Sequence, residues 1–218
     1  MEPGKEYRPA LLNTVQQRGL RIIKGTATFK DRFVPEHETL VALIESLRSM
    51  GCTIGFVTGV WDLIHIGHAE YIQHGKEEVA KLYPDTDHVI MVVGVDSDEF
   101  TKRRKGPDRP VVPQDERLRM LGHLRAVDIL TLQYEADQLF KIVAHDVRVI
   151  SHSTADLPGL EVIQGQCAHI VNLPPQAETS TTARIRRLSM DGAVSVLLKV
   201  EQVLMTALKG VRDGIEKQ

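Results

Sequence analysis

The stretch Thr53-Ile54-Gly55-Phe56-Val57-Thr58-Gly59-Val60-Trp61-Asp62-Leu63-Ile64-His65-Ile66-Gly67-His68 couples an apolar run to a glycine turn and to two histidines spaced His-x-Gly-His. Thr53 to Val57 reads as a buried strand, and Ile64 through Lys81 continues as a helix, which puts the histidines at the strand-to-helix crossing. Backbone N–H groups at a helix N-terminus form an anion site there. Gly59 lets the backbone approach a ligand without a clashing Cβ, and Gly67 lets the helix start lie against it. His65 and His68 are three apart, so their imidazoles turn the same way on one helical turn. Aimed at one phosphate, they would donate to oxygens that gain charge as the phosphorus becomes five-coordinate. The plain alternative is one packed and one solvated histidine; the strand, both glycines and both histidines together favour function. A metal reading lacks a third ligand at a telling spacing, with Cys52 and Cys167 far apart, so no metal ligand set is expected.

Outward from this turn, His88-Val89-Ile90-Met91-Val92-Val93-Gly94-Val95 is a continuous apolar run, as in a strand covered on both faces. Ala126–Leu132, Val147–Ile150 and His169–Leu173 are shorter candidates, separated by helical stretches near Gln114–Leu124 and Asp137–His145. Strand and helix alternating at this spacing predict βαβ units with right-handed crossovers. The expected class is α/β: a Rossmann-like open parallel sheet of about five strands with helices on both faces. Glu36–Met50 carries Leu40, Leu43, Ile44 and Leu47, the pattern of an amphipathic helix packed on that sheet. Residues 1–35 are read as an N-terminal arm, in which Leu20-Arg21-Ile22-Ile23 is a possible strand, residues 36–190 as the main domain and 191–218 as a C-terminal helix. Apolar residues from Val194 to Leu208 cover more than one narrow face of that helix. This suggests docking or a homodimer contact, with packing inside the chain as the equal alternative.

At 218 residues, with 42% hydrophobic and 26% charged side chains, the chain is an ordinary globular protein with one main domain as the default. Its net charge of −2 gives no global attraction to nucleic acid or anionic membrane. The polar N-terminus does not resemble a signal peptide, and no apolar stretch is long enough to span a bilayer. The cytoplasm is the expected compartment, with both cysteines reduced.

Two further segments carry chemistry. Thr101-Lys102-Arg103-Arg104-Lys105-Gly106-Pro107-Asp108-Arg109-Pro110 follows the second strand and reads as a cationic loop at the ligand-binding carboxyl edge of the sheet, able to neutralise a triphosphate. A solvated basic loop is the bland reading, and a nucleic-acid patch lacks interleaved aromatics. Ser180, Thr181 and Thr182 precede a helix, where one would serve as N-cap and all three could bind phosphate.

Together these elements resemble the nucleotidyltransferase superfamily that contains glycerol-3-phosphate cytidylyltransferase and the adenylyltransferase domain of bacterial ADP-heptose synthesis. The heptose type is the nearer, through Val95-Asp96-Ser97-Asp98, Thr101-Lys102-Arg103, Lys105-Gly106, Arg109-Pro110-Val111, Pro113, Glu116-Arg117, Ala126-Val127-Asp128 and Ser180-Thr181-Thr182. The resemblance, over residues 36–190, implies that an NTP lies over Thr58, Gly59, Val60, Trp61 and Asp62. His65 and His68 would then contact its triphosphate, with Mg²⁺ bridging the oxygens. It implies that Lys102 and Lys105 serve nucleotide and acceptor, with Arg104 as a substitute, and that Arg117 lies near the phosphates. Ser180, Thr181 and Thr182 match the second nucleotide loop. The implied reaction is transfer of a nucleoside monophosphate, from ATP slightly ahead of CTP, to a phosphorylated sugar or polyol with release of pyrophosphate. The alternative is a nucleotide-binding regulatory module that has lost turnover.

The sequence departs from its relatives at Ser151-His152-Ser153-Thr154-Ala155-Asp156, where they carry a Gly-Asp-type motif. His152 and Asp156 are therefore acceptor-binding candidates, against a surface loop. Pro174-Pro175-Gln176-Ala177 stands where the cytidylyltransferase has an arginine, which disfavours the cytidylyl branch.

Overall fold

The computed structural model describes residues 8–152, 167–176, 189–190, 192 and 194–205. In chain order the elements are α1 (Arg8–Ile23), α2 (Phe29–Arg32), α3 (His37–Ser49), β1 (Thr53–Gly59), α4 (Ile66–Leu82), β2 (Val89–Asp96), α5 (Asp98–Lys105), α6 (Gln114–Gly122), β3 (Ile129–Gln133), α7 (Gln138–Ile142), β4 (Val147–Ser151) and β5 (His169–Leu173). The five strands form one parallel sheet in the order β3-β2-β1-β4-β5. The expected α/β class and strand number are thus observed. Strand order reverses at β1, which opens a crevice between the carboxyl ends of β1 and β4 where open sheets take ligands.

Alternation along each strand divides the core in two. On one face Val57, Met91, Val93, Val95, Leu130 and Val149 pack with Ile72 and Val79 of α4 and Leu118 and Leu121 of α6. On the other, Ile54, Phe56, Ile90, Val92 and Ile129 pack with Leu40, Leu43, Ile44 and Leu47 of α3, Val15 and Ile22 of α1 and Leu139 of α7. At the middle of the sheet the fit is tight. A Cβ on Gly94 would lie 2.5 Å from Leu139 Cδ1 and 2.7 Å from Thr58 Cγ2. Gly94→Ala should therefore cost about 1–3 kcal/mol by overpacking, seen as a melting temperature lower by about 2–12 °C.

Three expectations change. Leu20–Ile23, read as a possible strand in an arm, ends helix α1. Its apolar spacing is helical, and Val15 and Ile22 are buried against α3. Arg18 donates to the carbonyls of Asp31 (2.6 Å), Lys30 (2.8 Å) and Phe33 (2.7 Å), and Val34 N–H bonds Leu130 O, so residues 14–34 lie on the chain's own sheet. The basic run Lys102–Lys105 is the last turn of a helix and not a loop. Ser97 Oγ caps α5 by accepting from Phe100 N–H, Asp98 and Glu99 open it, and four cations close it, each charge set matching the helix dipole. Gly106, at φ +98, ends it. The strand expected from Ala126 begins only at Ile129; just before it Asp128 donates its N–H to Met91 O, and its carboxylate accepts from Met91 N–H and Lys76 Nζ.

The chain divides into compact units Met1–Ala177 and Glu178–Gln218. Within it, residues 194–205 are helical, and Val194, Val196, Leu197, Leu198, Val200, Val203, Leu204 and Met205 are all exposed. Among the described residues no helix is long and apolar enough to cross a membrane.

Candidate active site

The turn after β1 is held by its own side chains. Trp61 and Leu63 adopt positive φ values of 56° and 45°, unusual for residues with bulky side chains. The Trp61 ring is buried and donates its Nε1–H to Gly94 O at 2.9 Å. It lies over Gly59, where an added Cβ would be 3.1 Å from ring atom Cε2. Gly59 thus makes room for Trp61 as well as for any ligand. Trp61, expected at the nucleotide, is packed beneath the turn.

His65 is the N-cap of α4, and its Nδ1 accepts from Gly67 N–H at 3.1 Å. His68, at the third helical position, returns the bond by accepting from His65 N–H on Nδ1 at 3.4 Å. The pair is a capping box made of histidines, where Ser or Thr with Glu is usual. Acceptance at Nδ1 puts the proton of each neutral ring on Nε2 and makes that nitrogen the donor. The rings lie 4.0 Å apart, and His68 sits edge-on to Trp61 at 5.7 Å. One set of bonds therefore orients both imidazoles at the positive end of α4.

Helix α5 follows the carboxyl end of β2, the neighbour of β1, after the single residue Ser97, and its last turn is the cationic one. Arg104 bonds the buried Asp96 carboxylate at 2.8 Å, and burial raises the Asp96 pKa despite Arg104, Lys105 and Arg117. Arg103 donates to Tyr134 O at 2.7 Å, and both Arg103 and Arg104 lie against the Phe100 ring. Lys102 and Lys105 are exposed. Desolvation, then the neighbouring charges of Arg109 and Arg104, hold the Lys105 pKa below its ordinary value. A crowd of like charges around one lysine favours an anion in its midst.

Two residues expected at the nucleotide, Asp62 and Arg117, bond extensively within the fold. Asp62, 2% exposed, accepts from Arg109 Nε (2.8 Å), Val111 N–H (3.0 Å) and Val112 N–H (2.9 Å). It thereby fastens the 109–112 loop to the histidine turn. Burial pushes its pKa up, but these donors more than offset that and leave it below the ordinary aspartate range. A lowered folded pKa means that the stabilisation is present above about pH 4 and is lost as the pH falls through the folded value. Asp62→Asn should accordingly speed hydrogen exchange of the Val111 and Val112 amides by about 10- to 100-fold at neutral pH, a loosening that the parent protein shows only in acid. Arg117, fully buried, donates to Val112 O (2.9 Å), Asp96 O (2.9 Å), Asp98 Oδ1 (2.7 Å) and Val60 O. It sets the spacing between the β1 turn, β2 and the loop before α6.

Thr58 and Gly59 end β1, and Val60 and Gly67 are buried. His152 is exposed just past β4. Asp156, Ser180, Thr181 and Thr182 lie outside the described residues. Among the described residues no three His, Cys, Asp or Glu side chains form a metal cage. One residue that sequence reading passed over is Arg148, an arginine inside the apolar run Val147–Ile150. It donates to Thr58 Oγ1 at 2.8 Å. A charged residue in the middle of a buried strand was the available signal.

A cytidylyltransferase-like family model matches residues 56–187, which include the histidine turn, α5 and Arg117. Bifunctional protein HldE of Nitratiruptor sp. is 35% identical over 162 residues, covering 72% of this chain and 32% of that protein. HldE of Hahella chejuensis is 31% identical over 159 residues, covering 71% and 31%. The chain thus spans about a third of the length of these curated relatives. A lipopolysaccharide core biosynthesis protein from Thermoplasma volcanium, of known structure, is 25% identical over 56% of this chain and 95% of its own, with a TM-score of 0.42. With a family match across more than half of its length, this chain belongs to the cytidylyltransferase-like family.

Proposed function

We propose that the protein moves a nucleoside monophosphate from an NTP to a phosphorylated sugar or polyol, with ATP ahead of CTP, and releases pyrophosphate. The observation that carries this reading is the histidine capping box at the N-terminus of α4, at the same sheet edge as the cationic end of α5. The sugar-phosphate acceptor and the preference for ATP rest on the resemblance to heptose-type adenylyltransferases and on the HldE relatives.

An acceptor phosphate oxygen forms a bond to the α-phosphorus in line as the bond from that phosphorus to the pyrophosphate oxygen breaks. Nε2–H groups of His65 and His68 donate to oxygens whose charge grows in that step. Lys102, Lys105 and Arg104 meet the phosphates of nucleotide and acceptor. Asp62 and Arg117 act at a distance by holding the β1 turn and the 109–112 loop in register. Mg²⁺ accompanying the NTP would neutralise triphosphate charge. The carboxylates of Asp62 and Asp96 are engaged by Arg109 and Arg104, so the metal would be held chiefly by the nucleotide's own oxygens. Exposed apolar residues at 194–205 support a homodimer.

Each NTP, with Mg²⁺ and a panel of sugar phosphates, should release pyrophosphate at a rate well above that of a His65→Ala/His68→Ala control. Release equal to the control on every pair would overturn the assignment. Calorimetric NTP binding without turnover would then establish a regulatory module.

A further inference from the structure

We propose that Arg148 is a receptor for a substrate phosphate at the crevice between β1 and β4. Its guanidinium is clamped between two aromatic rings, with its carbon 4.5 Å from the Phe56 centroid and 3.9 Å from that of Phe140. Arg148 pairs in register with Phe56 yet bonds Thr58, two residues further along β1, so the side chain runs toward the carboxyl edge. It is 4% exposed, and among the described residues Nε and Nη1 have no hydrogen-bond partner. No carboxylate among the described residues pairs with it; the nearby Asp146 is bound to Arg48 and to Ile54 N–H. Burial draws the Arg148 pKa down to about 9, an effect that the charges of Tyr71, Cys167 and Asp137 only partly offset.

A buried charge that is not paired destabilises a fold, so its retention in a strand that is otherwise apolar calls for an anion at some stage of the cycle. A planar fork held flat by two rings suits a phosphate, which takes two parallel N–H donors. Thr58 links this fork to the histidine turn. The inference deepens the nucleotidyl-transfer reading and rests on it for the identity of the phosphate, which the acceptor or the NTP would supply. We assign it to the acceptor, because β4 ends at Ser151, where the sequence begins to depart from its relatives.

The test compares the parent chain with Arg148→Met and Arg148→Lys in thermal melts with inorganic phosphate, and by calorimetry with a non-hydrolysable NTP analogue. The parent should gain about 3–6 °C at ten times the Kd for phosphate, and neither variant should gain more than about a third of that. Without phosphate, Arg148→Met should melt no lower than the parent, since removal of an unpaired buried charge relieves a cost. Unchanged analogue affinity in the variants would make the acceptor the source, whereas a loss of about 100-fold would make it the NTP. Equal phosphate shifts in all three chains would overturn the proposal, as would an Arg148→Met that melts far below the parent. If the methionine variant does not fold, the phosphate shift of Arg148→Lys decides alone. None of these readouts requires turnover, so the phosphate site and the transferase assignment fail separately.

Discussion

Replacement of His68 by alanine should lower kcat by about 100- to 1000-fold while leaving the NTP dissociation constant within a few-fold of the parent. That is the cost of losing one donor whose bond strengthens only as charge develops on the transferred phosphoryl group. The fold should survive, because His68 contributes a long 3.4 Å bond accepted from His65 N–H and ring contacts with Trp61 and His65, together worth about 1 kcal/mol. His65 differs in that it is also the N-cap. Alanine there would remove the cap, worth about 0.5–2 kcal/mol, together with the donor. His65→Asn separates the two: asparagine is a preferred N-cap and its side-chain oxygen can accept from Gly67 N–H, while nothing stands in place of Nε2–H. This variant should melt near the parent temperature and still lose at least 100-fold in kcat. Steady-state kinetics and thermal melts on both variants decide the matter. Retained turnover in either one would remove the histidines from the chemistry and leave them as helix caps.

Arg117→Met should destabilise the protein by about 3–5 kcal/mol, because it strands a carboxylate and three carbonyls that one fully buried guanidinium now joins. For a domain of this size the melting temperature should fall by about 6–20 °C. A phosphate-binding arginine would behave in the opposite way, with an unchanged melt and a raised KM. The structure favours the first outcome, since the donors of Arg117 are spent on Val60, Asp96, Asp98 and Val112, and none of these positions is a ligand. Arg117→Lys should recover little, as one ammonium cannot reach four acceptors spread over the β1 turn, β2 and the loop before α6.

The elements most easily read were those whose pattern is fixed by burial on both faces. Ile90–Val95 could only be a central parallel strand, and Leu40, Leu43, Ile44 and Leu47 could only face a core. Local competition made others harder. Lys102–Lys105 carries loop-like charge, yet the Ser97 cap and the helix dipole hold it helical. Leu20–Ile23 has the β-branched content of a strand, but its burial repeats with the helical spacing of Val15 and Ile22. For the site, the motif placed His65 and His68 correctly at a helix start, because a glycine turn and an N-cap are local features of the chain.

Sequence by itself thus determined the strand-turn-helix that carries the histidines, the parallel α/β class and the family, since each depends on residues adjacent in the chain or on a periodicity along it. Tertiary structure decided which distant partners hold the polar residues. Asp62 meets Arg109 across 47 positions, Arg117 meets Val60 across 57 and Arg148 meets Thr58 across 90. A charged side chain has no role until its partner is known, and these partners come together only when the sheet brings distant strand ends to one edge.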